Sequence, residues 1–228
     1  TPRNAILGYS EVRQAGMFGP IAPPRYQGYV EAVHTSGRHL LGIIDDILEV
    51  SRIELGVLDL NEEPADVADL VARTEQILVN RAAEAGVRLE TDVAGGLPLL
   101  VCDSRRVIQM LVNLAFNGIK FSDRGGTVRI IARRHPAGGL ALRVEDTGAG
   151  IAPEDRQRIW EPFGQAGSAH TRRAGGVGLG LTISKALIEA HGGTIDLDST
   201  PDQGTRVSLV FPAGRCREDT DDARERVA

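Results

Sequence analysis

Asn113-Leu114-Ala115-Phe116-Asn117-Gly118-Ile119-Lys120-Phe121 is the stretch on which the fold turns. Gln109, Asn113, Asn117 and Lys120 recur at helical intervals, so on a helix they share one face. Ile108, Leu111, Val112, Ala115 and Ile119 fall on the opposite side and are expected to pack on a sheet. Asp103 has the short carboxylate that caps a helix start, which predicts a helix from there to about Phe121. Two asparagines in mid-helix lower helix propensity, and a solvated face more often carries Glu, Lys or Arg. The polar stripe is therefore read as facing a cleft. An Asn oxygen ligates Mg²⁺, and a Lys ammonium offsets phosphate charge.

Downstream, an apolar strand ending at Val144 delivers Glu145-Asp146-Thr147-Gly148-Ala149-Gly150-Ile151. A carboxylate at a strand end accepts a hydrogen bond from an exocyclic amine, and the glycines let a ligand approach the backbone. Alone this is a common turn pattern. Gly175-Gly176-Val177-Gly178-Leu179-Gly180-Leu181 then opens directly into a helix. Such a turn offers free N–H groups and a positive dipole end to phosphates. It lacks the Gly-Lys-Ser/Thr of a P-loop, and no strand precedes it. The stretch before it, with Arg172 and Arg173, has the composition of a lid.

Around these motifs the pattern predicts strands at Val57–Asn61, Val87–Val93, Leu99–Cys102, Thr194–Ser199 and Thr205–Phe211. It predicts a hairpin of Gly126–Arg134 with Leu140–Glu145, and helices at Pro64–Ala85 and Gly178–His191. Mixed strands and helices with hairpins indicate an α+β fold, a two-layer sandwich with helices on one face of a mixed sheet. Upstream the texture differs. Tyr26, Val30, Val33, Gly37, Leu40, Ile44, Ile47 and Ser51 form a heptad seam, thickened by Leu41 and Leu48 and closed by Gly56. The seam predicts an N-terminal helical hairpin that dimerises into a four-helix bundle. The expected organisation is residues 1–55 as a partial helical hairpin, 56–213 as an α/β domain and 214–228 as a charged, disordered tail.

Composition narrows the function. The 228 residues are 42% hydrophobic and 25% charged with a net charge of −5, so this is a globular chain. That charge argues against a sequence-independent grip on nucleic acid or on an anionic membrane. No apolar run reaches the ~20 residues of a membrane span, and the start carries no signal-peptide pattern. Cys102 and Cys216, far apart, suit a reducing compartment. Of the 26 basic residues only Lys120 and Lys185 are lysine, and both lie in the segments above.

The order of the motifs is more specific than any one of them. Asn113 to Phe121, then Asp146 to Ile151, then Trp160-Glu161-Pro162-Phe163-Gly164-Gln165, then Gly175 to Leu181, then Gly204-Thr205, closely resemble the N, G1, F, G2 and terminal Gly-Thr boxes of sensor histidine kinases. Residues 57–212 resemble the catalytic ATP-binding domain of that family, and residues 1–55 its dimerisation and phosphotransfer module. Thr1-Pro2-Arg3-Asn4-Ala5-Ile6 is similar to the end of the family's H box, His-Glu-x-x-Thr-Pro-x-Asn. Met17-Phe18-Gly19-Pro20 with Pro24-Arg25-Tyr26 resembles cell-cycle-type kinases of alphaproteobacteria.

The resemblance implies ATP and Mg²⁺ as cofactors. Asn117 would ligate the metal with the triphosphate, and Asn113 and Lys120 would contact phosphates. Asp146 would bind the adenine amino group, helped through Thr205 and a water, with Gly148 and Gly150 giving room for the base. Phe163 would sit at the lid with Arg173, and Gly176, Gly178 and Gly180 would follow the phosphates. Thr1 would position a water for dephosphorylating a partner regulator. The phosphoacceptor His would lie four residues before Thr1, so the chain as given lacks it. Gly118 stands where Ala is usual, a helix penalty of up to ~1 kcal/mol that need not touch the chemistry. Val177 stands where Thr is common, which removes a hydroxyl from the lid.

The other histidines are expected elsewhere. His34 and His39 are placed on a polar helix face, His135 in a turn, His170 in the lid, and His191 as an imidazolium at a helix end. The implied activity is an ATP-dependent protein-histidine kinase of a two-component system, homodimeric and cytoplasmic, with a parent protein that can be membrane-anchored. Its partner would be a response-regulator receiver domain. The alternatives are an acceptor-less ATP-binding scaffold and a gyrase-like ATPase. The latter usually carries a catalytic Glu on the Asn helix, and residues 104–121 contain none.

Overall fold

A computed structural model describes residues 11–13, 25–56, 58–166 and 177–218. The chain divides into two compact units, Thr1–Leu55 and Gly56–Ala228. In the first, residues 11–13 are helical and α1 spans Arg25–Glu54. Gly56 ends α1 in a left-handed conformation, φ 67°. The seam side chains Val33, Leu40, Ile44 and Ile47 are exposed along α1. His34 is buried, which corrects its placement on a solvent-facing side. The rest of the expected first helix, and the side chain of His39, lie outside the described residues.

The second unit runs β1 (Glu63–Ala65), α2 (Val67–Ala85), β2 (Arg88–Val93), β3 (Leu99–Cys102), α3 (Ser104–Phe121), β4 (Thr127–Arg134), β5 (Leu140–Asp146), α4 (Gly180–Ala190), β6 (Thr194–Thr200), β7 (Gly204–Phe211) and β8 (Cys216–Arg217). Single 3-10 turns lie at Pro153–Asp155, Arg158–Trp160 and Ala213–Arg215. The main sheet has the order β2-β4-β5-β7-β6, parallel at β2/β4 and antiparallel elsewhere. One face alternates inward as Val128, Ile130 and Ala132 on β4 and Val207, Leu209 and Phe211 on β7, all buried. The other face is solvated and carries cross-strand ion pairs, Arg129–Glu90 at 2.7 Å and Arg206–Glu145 at 2.7 Å. Exposed pairs of this kind contribute ~0–1 kcal/mol each, so burial under the helices supplies most of the stability.

The α+β sandwich with helices on one face of a mixed sheet is thus the observed architecture. Four boundaries differ from expectation. The first strand is Glu63–Ala65, not Val57–Asn61, because Pro64 pairs with Val101 at the edge of a separate sheet. Pro64 therefore does not start α2; Asp66 caps it, its side chain accepting from the Ala68 N–H at 2.8 Å. The helix expected from Gly178 begins at Gly180, since Gly178 is left-handed. The chain also stays ordered past Gly214: β8 pairs antiparallel with β3, and Arg215 bonds Glu62 at 2.5 Å.

The buried arc of α3 is also rotated from the expected one. Val107, Met110, Leu114 and Gly118 are buried with Leu111, Ala115 and Ile119, whereas Ile108 and Val112 are only half-buried. The cause is the position of α3 between α2 and α4, which extends burial to the border of the asparagine face.

Candidate nucleotide-binding site

The site begins with the way α3 is fixed. Asp103 Oδ1 accepts from the backbone N–H groups of Arg105 and Arg106 at 3.1 and 3.2 Å, which satisfies two of the first-turn donors. Asp103 Oδ2 accepts from Asn61 N–H at 3.1 Å. Behind the cap, the Asp103 N–H donates to His191 Nε2 at 3.1 Å, while His191 Nδ1 bonds the Leu187 carbonyl at 2.7 Å. His191 is therefore neutral with its proton on Nδ1, held below its ordinary pKa chiefly by burial. This corrects its reading as an imidazolium at a helix end. The imidazole is a core residue that ties the C-terminus of α4 to the start of α3.

Asp146 closes β5 next to this scaffold. Its Oδ1 accepts from the Gly148 N–H at 2.9 Å and from the Thr205 N–H at 3.1 Å. No group among the described residues reaches Oδ2. Burial raises the Asp146 pKa, and the two backbone donors oppose that shift. Gly148 packs where a Cβ would lie 2.6 Å from the Phe121 carbonyl oxygen, and Gly150, at φ 65°, packs against the Thr200 carbonyl. From below, Gly118 brings α3 against the carboxylate: a Cβ there would lie 3.1 Å from Asp146 Cβ and 3.0 Å from Val128 Cγ2. Gly118 thus touches the site directly, and its reading as a mild helix penalty alone is corrected.

Asn113 and the glycine turn meet at the start of α4. Asn113 lies beside Gly180, within ordinary van der Waals distance of a Cβ built there. Leu179 precedes the helix without any side-chain cap, so the first-turn N–H groups of α4 lack one. Gly178, at φ 77°, abuts Gly164 and Phe163; a Cβ would lie 2.6 Å from the Gly164 carbonyl oxygen. Phe163 is itself left-handed, φ 64°, and exposed. Asn117 and Lys120 are half-buried on the same face of α3. The Lys120 ammonium lies 4.6 Å from the Phe121 ring centroid, and burial lowers its pKa. Thr1, Arg173 and Gly176 lie outside the described residues, as do Arg172 and His170.

One contributor carried no sequence signal. Ser199, on β6, is buried and bonds Ile151, Gly204 and Thr205. A lone Ser in a strand matches no motif, although its position five residues before Gly204-Thr205 is a usable marker. Among the described residues no three His, Cys, Asp or Glu side chains gather as a metal site, and the candidate protein ligand is the single side-chain oxygen of Asn117. That suits Mg²⁺, which keeps few protein ligands when phosphates are present. A groove of about 420 Å³ lined by Trp160, Lys185 and Asp196 is separate and includes none of the candidate residues.

Residues 102–215 match the model of the histidine kinase-, DNA gyrase B- and HSP90-like ATPases. The chain belongs to this family. Its relatives include histidine kinases of alphaproteobacteria. The chain is 40% identical to the histidine protein kinase DivJ of Caulobacter vibrioides, over 93% of this chain and 35% of DivJ. It is 44% identical to the non-motile and phage-resistance protein of the same organism, over 93% of this chain and 25% of that protein. Full-length ShkA, solved in complex with AMPPNP, superposes with a TM-score of 0.78 at 31% identity, covering 92% of this chain and 43% of ShkA. The chain therefore spans about a quarter to a third of the length of these two curated relatives.

Proposed function

We propose that this chain is the Mg-ATP-binding and phosphotransfer core of a two-component histidine kinase. The observation that carries the reading is Asp146, a half-buried carboxylate held on Oδ1 by two backbone donors with Oδ2 unengaged. Oδ2 accepts from the adenine amino group, and Gly148 and Gly150 leave room for the ring. ShkA supports the nucleotide class, since its structure contains an ATP analogue.

In this reading the triphosphate runs from Asp146 towards the start of α4. There the N–H groups after Gly178 and Gly180, and Gly176 before them, follow the phosphates. Asn113 and Lys120 contact phosphate oxygens, and a lowered Lys120 pKa is restored by their negative charge. Asn117 holds Mg²⁺, which offsets charge on the transferring phosphoryl group. Phe163 and Arg173 belong to the lid that closes over the nucleotide. The acceptor is a histidine preceding Thr1, and the phosphoryl group then passes to an Asp of a response-regulator receiver domain. Thr1 positions a water that hydrolyses the phosphoryl group from that regulator, releasing inorganic phosphate. The exposed seam of α1 supports a homodimer through a four-helix bundle.

The test uses the parent protein with γ-labelled ATP and Mg²⁺. A label lost in acid, kept in base and absent from the Asn117→Ala variant is the expected result. No label, despite stabilisation by nucleotide, would overturn the kinase reading in favour of an ATP-sensing scaffold.

A further inference from the structure

We propose that Ser199 sets the hydrogen-bond polarity of Thr205 and so makes the site select adenine over guanine. The inference rests on the nucleotide reading of the site and assigns a specificity-determining role to a residue that need not touch the ligand.

Ser199 is 2% exposed, and its hydroxyl has three neighbours. Ile151 N lies at 2.8 Å, Gly204 O at 3.0 Å and Thr205 Oγ1 at 2.9 Å. A serine hydroxyl has one proton to donate and two lone pairs to accept with. The Ile151 N–H can only donate, and the Gly204 carbonyl can only accept. The single arrangement that satisfies all three has Ser199 donating to Gly204 O while accepting from Ile151 N–H and from the Thr205 hydroxyl. Any other leaves a buried polar group without its partner, which is costly. The Thr205 proton is thereby committed to Ser199, and Thr205 Oγ1 offers only lone pairs to other groups.

The same Thr205 donates its backbone N–H to Asp146 Oδ1 at 3.1 Å. One bonded cluster thus holds two acceptors, Asp146 Oδ2 and Thr205 Oγ1, on residues joined by the Thr205 N–H to Asp146 Oδ1 bond, and in the proposed pose both serve the base edge. The adenine exocyclic amine has two N–H donors to offer. Guanine places a carbonyl oxygen at that ring position, where two acceptors repel it. Removing the Ser199 hydroxyl frees Thr205 to rotate and donate, which removes half of the repulsion.

The experiment measures ADP and GDP affinities, each with Mg²⁺, by calorimetry on the chain and on Ser199→Ala, Thr205→Val and the double variant. Thermal melts verify folding, and Ser199→Cys, which preserves the volume, replaces an unfolded Ala variant. The expected result is that Ser199→Ala shrinks the preference for ADP over GDP about tenfold, the scale of one hydrogen bond. In the Thr205→Val background it should leave the preference unchanged. A Ser199→Ala variant that weakens both nucleotides in proportion, or shrinks the preference equally without the Thr205 hydroxyl, overturns the proposal. A wild-type chain that binds neither nucleotide overturns the nucleotide reading and this inference with it. A wild-type chain that prefers ADP while Ser199→Ala leaves that preference intact overturns the inference alone.

Discussion

Asp146 is held in a form that costs the apo protein stability. Its folded pKa is raised by burial, so ionisation above its ordinary range is disfavoured in the folded state relative to the unfolded one. Stability should therefore rise as pH falls through the folded pKa. Asp146→Asn removes the buried charge while keeping an oxygen for the Gly148 and Thr205 donors. We expect its apo melting temperature to equal or exceed that of wild type, while the shift given by ADP is lost; a thermal shift assay with and without ADP reads both. Gly148→Ala is the steric counterpart. Its Cβ would press on the Phe121 carbonyl oxygen at 2.6 Å, and we expect a loss of about 1–3 kcal/mol in urea unfolding. Asp146 was legible in the sequence because a carboxylate between an apolar strand and a glycine turn is a local pattern. Ser199 was not, because its role comes from partners five, six and forty-eight residues away.

At the scale of the elements, the junction between α3 and α4 depends on one uncharged imidazole. His191 has its folded pKa below the unfolded value of 6.5, with burial the largest cause. Above about pH 6.5 both states are neutral and the junction is at full strength. As pH falls below that value the unfolded state takes up the proton first, and stability declines until the folded pKa is passed. Urea midpoints between pH 7.5 and 5 should show this decline. His191→Gln should be less stable throughout and flatter over that interval. On the other side of the same bond, Asp103→Ala removes the cap of α3 and should cost about 1–2 kcal/mol, read by the same denaturation. The cap itself was legible from Asp103 ahead of a helical pattern. The state of His191 was not, because the dipole argument sees only its own helix and not the Asp103 N–H that needs an acceptor. The buried arc of α3 was half legible for the same reason: periodicity gives the existence of a face, while α2 and α4 decide its width.

At the scale of the whole molecule, the heptad seam of α1 was legible from its period, and its side chains are exposed in the single chain. Ile44→Glu should shift the sedimentation coefficient towards a monomer while leaving ADP affinity unchanged, because Ile44 belongs to the other compact unit. The three-stranded sheet β1-β3-β8 was not legible, since two of its strands are only two and three residues long. Yet that small sheet has a topological consequence. Both β1, where the chain enters this unit, and β8 flank the same strand, with Glu63 opposite Cys102 and Arg217 opposite Leu99, so the two lie two strand spacings and three residues apart, roughly 14 Å. A module whose two ends lie on the same small sheet can be spliced into or out of a longer polypeptide with little movement of what lies on either side. It can equally be cut elsewhere and rejoined across this seam: a circular permutant joining residue 218 to residue 62 through a flexible Gly-Ser linker, opened in the His135–Gly139 turn, should keep its affinity for ADP.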